Sequence, residues 1–182
     1  MTRDRNELAR SLAEVCVLRG QFTLRSGRTS TYYLDKYRFS TRPDVLSRLG
    51  DLFADRIAEI ERTTGPVHRL AGAELGGIPL VTVASLRTGK PCLFVRNARK
   101  DYGTAKQLEG VLEPGERVVF VEDIATTGGQ ALEAVGVLRE AGGEVAAVIC
   151  TIDRQEGARE HIEGAGVRFE ALFTKADLGI HE

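Results

Sequence analysis

The densest chemistry in the 182-residue chain lies in the run VVFVEDIATTGGQALEAV, residues 118 to 135. An apolar stretch ends in two adjacent acids, Glu122 and Asp123. A loop of small residues follows, Ile124, Ala125, Thr126, Thr127, Gly128 and Gly129, and Gln130 then leads into a helical pattern carrying Ala131, Ala134, Val135 and Leu138. Small residues let backbone N–H groups turn inward, and a helix start adds unpaired donors and a positive dipole end. Such a loop suits a phosphate, with the two threonine hydroxyls as further donors. By itself Thr-Thr-Gly-Gly also fits a glycine-rich strand-to-helix turn with Thr126 or Thr127 as N-cap. The acid pair shifts the balance, because carboxylates beside a phosphate pocket suit a sugar diol, and a ribose 5-phosphate carries both groups. The chain has no GxxxxGK[ST], and no GxGxxG follows a strand, which excludes the Walker A and dinucleotide-binding readings.

Three further segments carry charge or glycine where a ligand could use them. Residues 96 to 107, RNARKDYGTAKQ, hold Arg96, Arg99, Lys100 and Lys106 against the single acid Asp101 and offer no apolar face. That pattern is either solvated surface or a mobile lid that stabilises an anionic leaving group and excludes water. Residues 71 to 79, AGAELGGIP, place Glu74, Leu75 and Gly76 between a strand end and a helix. Residues 151 to 156, TIDRQE, put Arg154 at a strand end, where its planar fork could pair with a ligand carboxylate or with a local acid.

Residues 118 to 130 resemble the signature of type I phosphoribosyltransferases throughout, with Glu-Asp in place of the commoner Asp-Asp. The resemblance implies that Ile124 to Gln130 hold the 5-phosphate of phosphoribosyl pyrophosphate (PRPP) while Glu122 and Asp123 contact the ribose hydroxyls. The basic segment is similar to the catalytic loop of orotate phosphoribosyltransferases, R-K-x-x-K-x-H-G followed by E-G. Arg96, Lys100, Gly103, Glu109 and Gly110 match, whereas Asn97 and Tyr102 replace the usual lysine and histidine. Arg96, Arg99, Lys100 and Tyr102 are thereby expected at PRPP, with Arg96, Lys100 and Asp123 as the catalytic set. Glu74, Leu75 and Gly76 fall where the family has its pyrophosphate loop. Gly76 stands where some members carry a lysine, so backbone contacts are expected there.

The hairpin FTLRSGRTSTYYLD, residues 22 to 35, resembles the family's base-covering F-x-L-x-S-G-x-x-S-x-Y. Arg25 takes the place of a PRPP-contacting lysine and is expected near both substrates. Arg154, in DRQE, matches the arginine that binds the orotate carboxylate, with Thr126 as second contact. Leu172 to Leu178 is similar to the family's C-terminus, so the resemblance spans about residues 7 to 180. It implies orotate plus PRPP giving orotidine 5′-monophosphate and pyrophosphate. Mg²⁺ is expected to be held by PRPP, with at most a water-mediated contact to Glu122 or Asp123. It also implies a homodimer in which loop 96–110 acts in the neighbouring site. A phosphoribosyltransferase for another base, as in purine salvage, or a non-catalytic PRPP-sensing regulator stays open at this point.

The elements that must position these groups follow from hydrophobic spacing. Leu8, Leu12, Val15 and Leu18 recur at helical intervals, and Pro43 opens a second helix with Leu46, Leu49, Phe53, Ile57 and Ile60 on one face. Apolar runs at Val67–Ala71, Cys92–Val95, Arg117–Val121 and Val145–Ile152 alternate with helices at about Gly77–Thr88 and Gly129–Ala141. Continuous apolar strands between helices predict a mostly parallel sheet covered on both faces, an α/β fold of the type I phosphoribosyltransferase kind, in one domain over residues 1 to 182. Residues 1 to 40 would form the hood of helix and hairpin, and ligands would bind outside the carboxyl ends of the strands. The formal charge of -1 gives no general argument for nucleic-acid or membrane binding, and the hydrophobic fraction of 42% suits a soluble core. No apolar run approaches about 18 residues, no apolar leader opens the chain, and Cys16, Cys92 and Cys150 form no pair or cluster, so a cytoplasmic protein is expected. His68, His161 and His181 match no catalytic motif.

Overall fold

The computed structural model describes residues 2–23, 27, 29–98 and 107–181. Its centre is a six-stranded sheet of order β5-β4-β3-β6-β7-β8. The strands are β3 (Arg69–Ala73), β4 (Cys92–Val95), β5 (Leu108–Glu109), β6 (Arg117–Ala125), β7 (Glu144–Asp153) and β8 (Arg168–Thr174). All neighbours pair in parallel except β5, which runs antiparallel to β4. Side chains alternate along each strand, so Val119 and Val121 pack on one face while Val118 and Phe120 pack on the other. Helices α3 (Pro43–Thr64) and α4 (Gly77–Thr88) belong to the first face, α5 (Gly129–Glu140) and α6 (Ala158–Gly164) to the second. On α3, Leu49, Phe53, Ile57 and Ile60 are fully buried, each stabilising the fold by about 1.5–3 kcal/mol relative to exposure.

Helix α1 (Thr2–Cys16) lies against the first face through Leu8, Ala9, Leu12 and Cys16. Arg5 ties it to the far end of the chain: Nη2 donates to the Leu172 carbonyl at 2.8 Å and pairs with Asp177 at 3.0 Å. A two-stranded antiparallel hairpin follows, β1 (Val17–Thr23) and β2 (Thr29–Leu34), and then a short helix, α2 (Lys36–Ser40). Asp35 caps α2, its carboxylate accepting from the Tyr37 N–H at 3.1 Å.

The mostly parallel sheet, the helix after Pro43 and α4 agree with the spacing argument. Several bounds differ for physical reasons. Leu18 belongs to β1, because the chain leaves the helix at Cys16 to begin the hairpin earlier than Phe22. Val45 takes the buried position on α3, and Leu46 is only half-buried. His68 sits just before β3, where its Nδ1 accepts from the Arg117 N–H at 2.9 Å. Strand β6 runs through both acids to Ala125 instead of stopping at Val121. Pairing with β7 holds it extended, Glu122 opposite Cys150 and Ala125 opposite Asp153.

Candidate active site

Strand alternation decides how the two acids reach solvent. Consecutive residues of β6 point to opposite faces, so Glu122 approaches from the α5 side and Asp123 from the α4 side. Both nevertheless line one cavity of about 230 Å³ at the carboxyl end of the sheet. Its walls include Glu74, Leu75, Arg96, Asn97, Gln107 and Gln130, together with Lys36 and Tyr37 from α2. Asp123 is 4% exposed, its Oδ1 accepts from the Ile124 N–H at 2.6 Å, and its Oδ2 meets the Lys36 ammonium at 2.8 Å. Glu122 is also buried, and its Oε1 accepts from the Asp123 N–H at 3.0 Å. Burial first, and the neighbouring Asp123 charge second, push the Glu122 carboxyl up to about 8. The pair therefore favours one negative charge over two at neutral pH.

Gly76 makes the close approach possible. A Cβ at this position would collide with Asp123 Oδ2 and lie 3.2 Å from Lys36 Cδ. The bare backbone of the β3–α4 turn thus abuts the acid. Beside it, the Glu74 carboxylate accepts from the Asn97 N–H at 2.8 Å, and Leu75 is largely exposed. Arg96 closes the base of the basic loop: its N–H donates to the Gln107 carbonyl at 2.8 Å, and Gln107 Nε2 returns a bond to the Arg96 carbonyl at 2.9 Å. The Arg96 Nε is buried and finds no partner among the described residues. Arg25, Arg99, Lys100, Tyr102 and Lys106 lie outside the described residues.

The loop from Ile124 to Gly129 continues from the acids and is not part of the cavity wall. Thr127 and Gly129 are exposed and Thr126 is half-buried. Helix α5 starts with Gly128 as its N-cap and without a side-chain cap bond, so neither threonine plays the simple capping role. Its first-turn N–H groups are left for a ligand to satisfy. Gly128 has φ 81, and a Cβ there would meet Ile162 Cγ1 at 3.0 Å and the Ala158 carbonyl at 3.3 Å. Only glycine fits both demands. The Thr127 carbonyl lies 2.7 Å from Nδ1 of His161 on α6, a support that no spacing in the sequence announced.

One strand over, the Arg154 N–H donates to the Ala125 carbonyl at 2.9 Å, which fastens the end of β7 to the loop that follows the two acids. The Arg154 side chain is 13% exposed and pairs with Glu156 at 2.9 Å, the local acid considered above. Its Nη2 also donates to the Tyr32 hydroxyl at 3.1 Å, its guanidinium lies 5.2 Å from the Tyr32 ring centroid, and its Nε has no partner among the described residues. Sequence reasoning missed Lys36 of α2 and His161 of α6, and the hairpin motif that ends at Tyr32 did not announce its bond to Arg154. Each is paired with a residue far away in the chain.

No family model matches the chain. Curated relatives and solved structures do. It is 49% identical over 159 residues to an orotate phosphoribosyltransferase of Methanocella arvoryzae, covering 87% of each chain. The chain belongs to the orotate phosphoribosyltransferase family. Its fold superposes with a TM-score of 0.85 on the orotate phosphoribosyltransferase of Mycobacterium tuberculosis in complex with Fe(III) dicitrate, at 35% identity over 97% of this chain and 99% of that one. The same enzyme in complex with 5-phospho-alpha-D-ribosyl 1-diphosphate gives a TM-score of 0.81, at 35% identity with the same coverage. No helix among the described residues is long and apolar enough to cross a membrane.

Proposed function

We propose that the chain transfers the 5-phosphoribosyl group of PRPP to orotate, breaking the C1–O bond to pyrophosphate and forming a C1–N bond in orotidine 5′-monophosphate. The observation that carries this choice of base is Arg154. It is nearly buried, held by Tyr32 beside the loop after the acids, and its Nε has no partner among the described residues, an arrangement suited to a planar carboxylate. The uncapped start of α5 receives the 5-phosphate, and Glu122 and Asp123 receive the ribose hydroxyls. With the ribose held at both ends, the reaction gains chiefly from positioning and from charge stabilisation. Asp123 lies where it offsets cationic character on the ribose as the leaving group departs.

Among the described residues no group of three or more His, Cys, Asp or Glu side chains could cage a metal. Mg²⁺ would be held mainly by diphosphate and ribose oxygens, with Glu122 or Asp123 reached through water, and would neutralise charge on the diphosphate. Arg96 at the cavity, with Lys100, Arg99 and Tyr102 of the loop, would complete the cationic lid. Loop 96–110 would act in the site of a second copy of the chain.

A spectrophotometric assay of orotate with PRPP and Mg²⁺ tests the reading, with uracil, adenine and guanine as competitors. Orotate should be consumed and uracil, which lacks the carboxylate, should not. Consumption of a purine with orotate untouched would refute the assignment. Mixing Lys100→Ala and Arg154→Ala variants tests the shared site, since a loop acting in trans restores one intact site per mixed dimer.

A further inference from the structure

We propose that Lys36 is a substrate-binding residue whose ammonium takes an oxygen of the PRPP diphosphate, on the ribose face that Asp123 contacts. The inference rests on the reading of the site as a PRPP site. Lys36 opens α2, and its side chain is 32% exposed against 5% for Asp123. Its stem passes over the bare backbone of Gly76, and its ammonium ends 2.8 Å from Asp123 Oδ2. Lysine, acid and glycine backbone therefore meet at one point of the cavity wall.

Ribose stereochemistry says why a cation belongs there. In the α-anomer, the substituent on C1 lies on the same face of the ring as the 2- and 3-hydroxyls. Carboxylates that hold the diol necessarily face the diphosphate as well, and two like-charged groups in a secluded cavity repel strongly. A cation placed between them removes that conflict. Among the described residues of the wall the cations are Lys36 and Arg96, and of these two Lys36 is the one that touches the Glu122–Asp123 pair. Arg96 stands at the end of β4, 3.8 Å from Glu109. Although burial opposes the charge on Lys36, Asp123 more than offsets it, so the amine stays fully protonated and available to an incoming anion.

The bland alternative is that Lys36 merely anchors Asp123. The two roles separate with ligands that carry or lack the diphosphate. Turnover by the wild type comes first, since its absence would sink the PRPP reading itself without bearing on Lys36. In an active enzyme, Lys36→Met should raise the KM for PRPP about ten-fold or more and weaken binding of magnesium pyrophosphate comparably, by calorimetry. Affinity for ribose 5-phosphate and the KM for orotate should stay within about two-fold, and Lys36→Arg should recover part of the loss. An equal loss of ribose 5-phosphate would show an anchor and overturn the proposal, as would an unchanged KM for PRPP. Melting temperatures identify any misfolded variant, and Lys36→Gln, which keeps the stem and a donor, then answers the same question.

Discussion

Arg154 donates to the hydroxyl of Tyr32 across 122 positions of sequence, at 3.1 Å. The hairpin before the core thus sets the direction of the arginine at the end of β7. A neutral partner on a charged donor contributes about 1–3 kcal/mol where solvent is limited. Tyr32→Phe keeps the ring against the guanidinium and deletes only the hydroxyl. The KM for orotate should rise about five- to ten-fold, with the KM for PRPP unchanged. Steady-state kinetics with each substrate varied separately would check this, and a rise confined to PRPP would contradict it.

That contact also shows where sequence reasoning reached its limit. The core was legible because parallel strands buried on both faces leave long apolar runs. Cys92–Val95 and Gly77–Thr88 have the bounds that hydrophobicity alone suggests. The end of β6 was not legible, since Glu122 and Asp123 break the apolar run and only pairing with β7 keeps them extended. The loop from Ile124 to Gly129, the two acids and Arg154 drew attention because each sits beside a strand end or helix start with a local signature. Lys36 could not, because α2 has five residues and the partner of the lysine lies 87 positions on, at Asp123. Tyr32 stood in the hairpin motif, but its bond to Arg154, 122 positions on, left no local signal.

The buried acid pair should leave a mark on stability. The Glu122 carboxyl sits at about 8 in the folded chain against 4.5 when unperturbed. Between those values the folded state holds a proton that the unfolded state has released. Stability therefore falls as pH rises through this window and is greatest below it, as far as this group is concerned. Glu122→Gln removes the titration without removing the side-chain volume. Melting curves of ligand-free protein at pH 5, 6, 7 and 8 should show a decline in the wild type that is distinctly shallower in the variant. Parallel curves would contradict the raised carboxyl.

Two glycines in structurally different surroundings make a matched pair. At Gly76 a Cβ would collide with Asp123 Oδ2, whereas at Gly136, inside α5, it would meet nothing within 4 Å. Overpacking costs about 1–3 kcal/mol, and at Gly76 the strain falls on Asp123, the acid proposed to contact the ribose. Gly76→Ala should cut kcat/KM for PRPP about ten-fold or more while lowering the melting temperature modestly. Gly136→Ala should leave kinetics untouched and stabilise the helix by about 0.5–1 kcal/mol. Equal activity of both variants would mean that the acid does not need the space glycine leaves.

His161 reaches the loop before α5 from the neighbouring helix α6. Its Nδ1 lies 2.7 Å from the Thr127 carbonyl, and because a carbonyl can only accept, the Nδ1 must carry the proton. The bond orients the peptide next to Gly128, whose left-handed backbone turns the loop into α5. His161 is exposed, so the contribution should be that of an ordinary hydrogen bond, about 0.5–1.5 kcal/mol. His161→Leu should therefore weaken ribose 5-phosphate binding about three- to ten-fold. Orotate specificity over uracil should be retained, since Arg154 and Tyr32 are untouched. His161→Asn, able to donate from a similar distance, should recover much of the affinity. Calorimetry with ribose 5-phosphate checks the series, and equal affinity for wild type and His161→Leu would mean that the loop holds its shape without this support.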